Sequence, residues 1–311
     1  MQAHYPFETI RLEHISFSDP FIRSLHTTAP DLATVAALAQ FGQTAPLLVW
    51  RHTDTLYQLL SGYPQFMAIA SLGVEQVACQ TLPRHVPPLV RYSLQILHDR
   101  SPAQASPILQ AYLLQQAKQE LADADIFSLL ALMGYKPQRH MLDELIALLH
   151  LSPSTVEALH HGKMAPKAGK LMQFLSHDDQ ELVSRLIGSY RVSGSKQQKL
   201  IEMTTELSLR NNTTVRELLR EWMSDHQGDV QENAPQRFNE LLHMLDALYH
   251  PEKTKLESNF HQIIKELALP DSLTIVPSPS FEDESLEMRL RFEDIETFQR
   301  KWEKMKMLFQ Q

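Results

Sequence analysis

Between Ile108 and Trp222 nearly every stretch reads as helix, and strand-like runs are confined to the two flanks. Thr9–Leu12, Leu47–Trp50, Leu56–Leu60 and Val77–Leu82 lie before this block. Ser272–Val276 and Leu286–Phe292 lie after it. Strands separated by more than a hundred helical residues favour separate units over one continuous sheet. The expected class is therefore α+β, mostly α. An N-terminal α/β domain spans 1–100, an all-α domain 107–224, and a small α+β unit 236–311. A chain of 311 residues has room for three such units.

Composition removes several classes. Hydrophobic residues make up 43% and charged residues 21%, which is ordinary globular chain. No apolar run reaches the roughly 18 residues of a membrane span, and MQAHYPFETI has no basic and apolar leader pattern, so no membrane role is expected. One cysteine, Cys79, excludes an internal disulfide, fits the reducing cytoplasm, and reads as a buried, inert thiol. Nine glycines contain no G-x-G-x-x-G, G-K-[ST] or G-x-S-x-G pattern, which argues against a glycine-rich nucleotide loop. The formal charge is −8, unevenly spread. Residues 225–311 hold 10 basic against 17 acidic side chains, whereas 112–224 hold 13 of each. The whole chain is a poor non-specific DNA binder, yet the neutral middle can present a basic face.

Asp31 reads as the N-cap of a helix that Gly42 ends, and Ser18-Asp19-Pro20 as a turn. From Pro46 to Pro83, strand, turn, strand, Ser61-Gly62, helix (Gln65–Leu72) and strand follow in order, a pattern that places ligands at the helix start after the glycine. Prolines 87, 88, 102 and 107 bracket a short helix and a linker at 98–107. Asp125 opens a helix ending at Gly134. Tyr135-Lys136-Pro137 makes a turn, and Gln138–Leu149 makes the next helix, a helix-turn-helix arrangement. Gly162–Lys167 breaks one helix and starts another, and 188–196 reads as a polar loop. Leu286–Phe292 alternates apolar and charged residues as a half-buried strand does. The last helix then sets Ile295, Phe298, Trp302 and Met305 on one face. Two strands and their helices bury little alone, so a second copy is expected to cover this unit; the other reading packs it on the middle domain.

The candidate chemistry is recognition. Lys136, Gln138 and Arg139 sit where a second helix reaches base edges; Gln suits adenine and Arg suits guanine. Lys163, Lys167 and Lys170 recur at steps of four and three, a stripe suited to phosphate contacts. Solvated helix faces explain either set equally well, and Asp143 and Glu144 would oppose phosphate on that surface. His160-His161 are adjacent rather than four apart, and His243 and His250 have no placed carboxylate or thiol, so no metal is expected. Asp178-Asp179 reads as a helix start. Arg191, Lys196 and Lys199 face solvent or phosphate.

The arrangement resembles the ParB family of plasmid and chromosome partition proteins. Asp31–Ala39, Phe41 to Val49 and Tyr57-Gln58-Leu59-Leu60-Ser61-Gly62 look like its N-terminal domain. Ser106-Pro107-Ile108-Leu109-Gln110-Ala111 looks like its S-P-[IL]-E-x-A lead-in to the middle domain. Leu149-His150-Leu151-Ser152 to Gly162-Lys163-Met164 resembles the segment after its helix-turn-helix. Thr213-Thr214-Val215-Arg216-Glu217 resembles a later S-V-R-E motif. The C-terminal helix–strand–strand–helix is similar to its dimerisation domain. The resemblance implies a ParB-like N-terminal domain and a helix-turn-helix middle domain. The homodimer would form through Leu286, Met288, Leu290, Phe292, Phe298 and Trp302.

It also implies a DNA-binding protein of partition or of divergent regulation, cytoplasmic and held at the nucleoid by DNA, with a ParA-type ATPase as a further partner. Typical members clamp DNA with CTP and magnesium. Their G-E-R-R-x-R-A reads Gly62-Tyr63-Pro64-Gln65-Phe66-Met67-Ala68 here, and their E-N-x-x-R reads His98-Asp99-Arg100-Ser101-Pro102. The arginines that would grip a triphosphate are gone. A remnant of the pocket would comprise Thr44, Gly62, Tyr63, Gln65, Asp99 and Arg100, and no cofactor and no CTPase activity are expected. The middle domain departs too, with a turn about two residues longer than the family's. Two alternatives stand beside DNA binding: a non-enzymatic adaptor on this scaffold, and a CTP-dependent clamp with a rebuilt pocket.

Overall fold

A computed structural model describes residues 5–17, 19–25, 30–98, 106–225, 233–278 and 285–306. Asp99 and Arg100, of the expected pocket remnant, lie outside the described residues.

The N-terminal unit is a five-stranded mixed sheet. Strand β1 (Phe7–Arg11) runs antiparallel to β5 (Gln76–Leu82), which lies parallel to β3 (Leu47–Arg51). Strand β4 (Tyr57–Ser61) pairs antiparallel with β3, and the two-residue β2 (Ile15–Ser16) adds in parallel at the far edge. Alternation decides the faces. Ile10, Val49, Leu59, Val77 and Cys79 point into one core with Ile69 of α3 (Tyr63–Ser71) and Leu38 of α2 (Leu32–Phe41). Leu48 and Leu82 point the other way, onto Val90 and Leu94 of α4 (Pro88–His98). Asp31 caps α2 as expected, accepting from the Ala33 and Thr34 N–H groups. Cys79 is fully buried, and burial beside Glu8 pushes its thiol up to about 12, as an inert packing cysteine requires.

One expected turn is instead a helix start. The Asp19 carboxylate accepts from the Phe21 and Ile22 N–H groups and opens α1 (Pro20–Leu25), with Pro20 supplying a preset first-turn φ.

The helical unit follows without a strand: α5 (Pro107–Ala117), α6 (Asp123–Leu132), α7 (Arg139–Ala147), α8 (Pro153–His160), α9 (Pro166–Met172), α10 (His177–Tyr190), α11 (Gly194–Asn211), α12 (Val215–Leu218) and α13 (Arg220–Asp225). The expected loop at 188–196 shrinks to Arg191–Ser193, because Gly188 stays inside α10 and Gly194 begins α11. Gly188 has open space around it, so nothing forces a break there. One continuous core joins Ile108, Leu129, Leu142, Leu159, Val183 and Leu207.

Helix α14 (Ala234–Tyr249), expected to belong to the C-terminal unit, buries Phe238, Leu241 and Leu245 in that same core against α11. Beyond it, α15 (Pro251–Leu267), the hairpin of β6 (Leu273–Pro277) with β7 (Leu286–Leu290), and α16 (Ile295–Lys306) carry no fully buried apolar side chain among the described residues. Strand β7 was expected to be half-buried; all five of its residues are exposed in the single chain.

Candidate nucleic-acid interface

Helices α6 and α7 are joined by the six residues Met133–Gln138. The connection is locally determined. Gly134 takes φ +89, which an L side chain resists, and the Tyr135 and Gly134 N–H groups return to the Leu130 and Ala131 carbonyls. The Tyr135 hydroxyl then donates to Gln110 Oε1 at 2.7 Å, tying the turn to α5. Lys136, Gln138 and Arg139 follow, all exposed. Gln138 is the N-cap residue of α7 without a side-chain capping bond, so its amide is not used there.

The second expected stripe lies on the neighbouring α9 and the loop before it. Lys163 and Lys167 are exposed, and among the described residues neither has an ion-pair partner. Lys170 differs: its ammonium pairs with Glu144 of α7. Arg139 differs as well, with Nη1 3.1 Å from Asp123 and Nε 3.4 Å from Asp143. So α7 and α9 share one surface, but two of its five expected cations are already answered by carboxylates of the same chain.

Two buried glutamines hold α9, and sequence reasoning missed both. Gln197 of α11 accepts from the Ala165 N–H at 2.8 Å and donates to the carbonyls of Lys163 and Val192 at 3.0 and 2.9 Å. Gln180 of α10 accepts from the Ser152 N–H at 2.7 Å and donates to the carbonyls of Met172 and Leu175 at 3.0 and 3.1 Å. Each amide answers three loop groups that helix ends leave open. Gly169 completes the seat, since a Cβ there would meet Leu159 Cδ2 at 2.7 Å. Nothing local in a polar glutamine on a helix reveals such a role. Lys196 and Lys199 are taken up nearby, by Asn239 (2.7 Å) and Asp246 (3.1 Å).

The expected pocket remnant around Gly62 is largely structural. Gly62 has φ +92, and a Cβ would meet Leu47 Cδ2 at 2.8 Å. Tyr63 packs its ring on Phe17, centroids 4.2 Å apart, and Gln65 donates to the Ala45 carbonyl at 3.0 Å. Thr44 is exposed on the preceding loop. Gly62 and Tyr63, but not Thr44 or Gln65, line a cavity of about 970 Å³ between the sheet unit and the helices.

Polar contacts between residues from both sides line that cavity. Arg91 lies over the Trp50 ring at 4.5 Å and donates to both Glu120 oxygens at 2.6 and 2.7 Å. The Tyr92 hydroxyl also donates to Glu120, at 2.7 Å, and Tyr112 donates to Asp19 at 2.7 Å. Burial alone would raise the Glu120 carboxyl; hydrogen bonds from Tyr92 and Arg91 and the guanidinium charge outweigh it and hold it below its ordinary value. Burial, then the bond to Glu120, pushes Tyr92 up to about 12. His98 bridges the Pro46 carbonyl (3.1 Å from Nε2) and the Ser61 hydroxyl (2.8 Å from Nδ1). Among the described residues no three His, Cys, Asp or Glu side chains gather as a metal site, and no helix is long and apolar enough to cross a membrane.

The whole is a mixed α/β unit followed by a helical array in which α6 and α7 are joined by a six-residue turn. No protein-family profile matches the chain, and no curated protein matches it. Solved structures do. The C-terminally truncated chromosome-partitioning protein ParB from Caulobacter crescentus complexed to the centromeric parS site is similar at 16% identity and a TM-score of 0.34, over 63% of this chain and 98% of that one. The same protein complexed with CTP-gamma-S gives 16%, a TM-score of 0.22, and 58% and 98%. A Pnob8-like ParB-N domain gives 11%, a TM-score of 0.35, and 78% and 98%. With TM-scores below 0.5, none of the three defines what this chain binds.

Proposed function

We propose that the chain is a dimeric DNA-binding protein that reads DNA with the α6–α7 pair and grips phosphate with the loop and helix beside it. The observation that carries this reading is the pairing of an exposed helix start, Lys136 to Arg139, with the unpaired Lys163 and Lys167 on a rigidly seated neighbour. Base-edge and backbone contacts then come from adjacent elements, as sequence-specific readers require. The apolar face of β7 and α16 supports self-association, which would place two such surfaces in one particle.

Selection from a genomic DNA library tests the reading. Enrichment of one sequence, with affinity falling steeply as salt rises, is the expected result. Replacing Lys136, Gln138 and Arg139 together with alanine should flatten the sequence preference; unchanged binding would move the chain to the adaptor class. Exchanging Lys163 and Lys167 for alanine should weaken binding to all sequences alike and lower the salt slope by about 2.

The Gly62 region supports a nucleotide-independent protein, because Tyr63 and Gln65 are spent on internal packing and bonding. Calorimetric titration with CTP and magnesium is expected to give no heat; saturable heat would restore the clamp reading.

A further inference from the structure

We infer that Asp123, Asp143 and Glu144 determine specificity by occupying the cations of the DNA-reading face until the correct base sequence displaces them. This rests on the proposed DNA-binding reading and deepens it. Arg139, at the start of α7, is held by Asp123 and Asp143 at once, and Lys170 of α9 by Glu144. Asp143 and Glu144 stand one turn beyond Arg139 on the same helix, so acid and base alternate across one surface.

The physical consequence follows from the exposure of these groups. Side chains of Arg139, Asp123 and Asp143 are more than half exposed, and those of Lys170 and Glu144 more than a third. Pairs of this kind are weak and exchange readily with water and ions. A phosphate backbone alone must compete with three carboxylates that also repel it. A correct site adds base-edge bonds to Gln138 and Arg139 and wins the exchange. The acids thus lower binding to every sequence, and lower it most where no base contact compensates. Lys163 and Lys167 remain outside this arrangement and supply the uncompensated grip.

The test uses the full chain and a short labelled duplex of random sequence, measured by fluorescence anisotropy across a salt series. Asp123→Asn/Asp143→Asn/Glu144→Gln should bind random DNA several-fold more tightly and steepen the log–log salt slope by about 2, one for each freed cation. Adding Arg139→Ala and Lys170→Ala should abolish the gain. Should the triple variant lose stability, Asp143→Asn/Glu144→Gln alone, which leaves the first turn of α6 intact, should still show a gain. An unchanged affinity and slope overturns the inference. So does an equal gain from Glu266→Gln/Asp271→Asn/Glu293→Gln, exposed acids with no ion-pair partner among the described residues, since bulk charge would then explain it. If neither wild type nor variant binds, both this inference and the DNA-binding reading fail. If wild type binds through Lys163 and Lys167 while the triple variant gains nothing, only this inference fails.

Discussion

Arg91 and Glu120, 29 residues apart, meet in an ion pair that ties α4 of the sheet unit to the turn after α5, with one guanidinium nitrogen, Nη2, reaching both carboxylate oxygens. The guanidinium is nearly buried and stacks on Trp50, whereas the carboxylate is partly open. Removing the carboxylate charge leaves the guanidinium desolvated with a weaker partner. Glu120→Gln is expected to cost about 1–2 kcal/mol in denaturant unfolding, discounted because Glu120 is not fully buried.

The same contact sets a pH window. Glu120 is held below its ordinary 4.5, so its contribution is complete above that value and is lost as pH falls through the lowered one. Tyr92 is raised from 10.0 to about 12, so its contribution is complete below pH 10 and lost as pH rises through about 12. Thermal melts across pH should show a plateau between these limits. The acid shoulder should be smaller in Glu120→Gln.

Gly62→Ala should destabilise the sheet unit by about 1–3 kcal/mol, because it demands a left-handed backbone and drives a methyl group into Leu47. Gly73→Ala is the useful control: its φ is also positive, at +69, but a Cβ there meets open space. A larger cost at Gly73 would contradict the packing account.

Gln197→Leu keeps volume and removes all three bonds that hold the Lys163 loop. A loss of about 1–3 kcal/mol is expected, since the part-buried backbone groups of Ala165, Lys163 and Val192 lose their partner. A stability unchanged within error would show that water replaces the amide freely.

Met288→Glu on β7 should convert a two-chain particle to a one-chain particle by light scattering. Leu286, Met288, Leu290, Phe298 and Trp302 are 61%, 53%, 37%, 37% and 42% exposed in the single chain. A wild-type mass of one chain would remove the dimer altogether.

Local chemistry made much of this readable in advance. Asp31 caps α2, Gly134 closes α6, and alternation in Leu286–Leu290 marks a strand, because each depends on neighbours within a few residues. Lys136, Gln138 and Arg139 emerged as an exposed helix start for the same reason. The run at Gly188 misled, since a glycine with open space around it does not break a helix that packing supports.

Long-range partners were not legible. Nothing near Arg139 or Lys170 in the chain announces that Asp123, 16 residues away, and Glu144, 26 residues away, would meet them. Tyr112 finds Asp19 across 93 residues, and Gln197 serves a loop 32 residues earlier. By itself the sequence determined the main strands and helices, the Asp31 cap and the residue types on each face, which follow from hydrogen bonding and periodicity along a few turns. It did not reveal β2, the helix α1, or the start of α6, which lies at Asp123 rather than at Asp125. Only the tertiary structure decided which cations are free, which glutamines hold the lysine-bearing helix, and that the Gly62 stretch is spent on packing. Those outcomes depend on which groups lose water together, and that is settled only when distant segments come into contact.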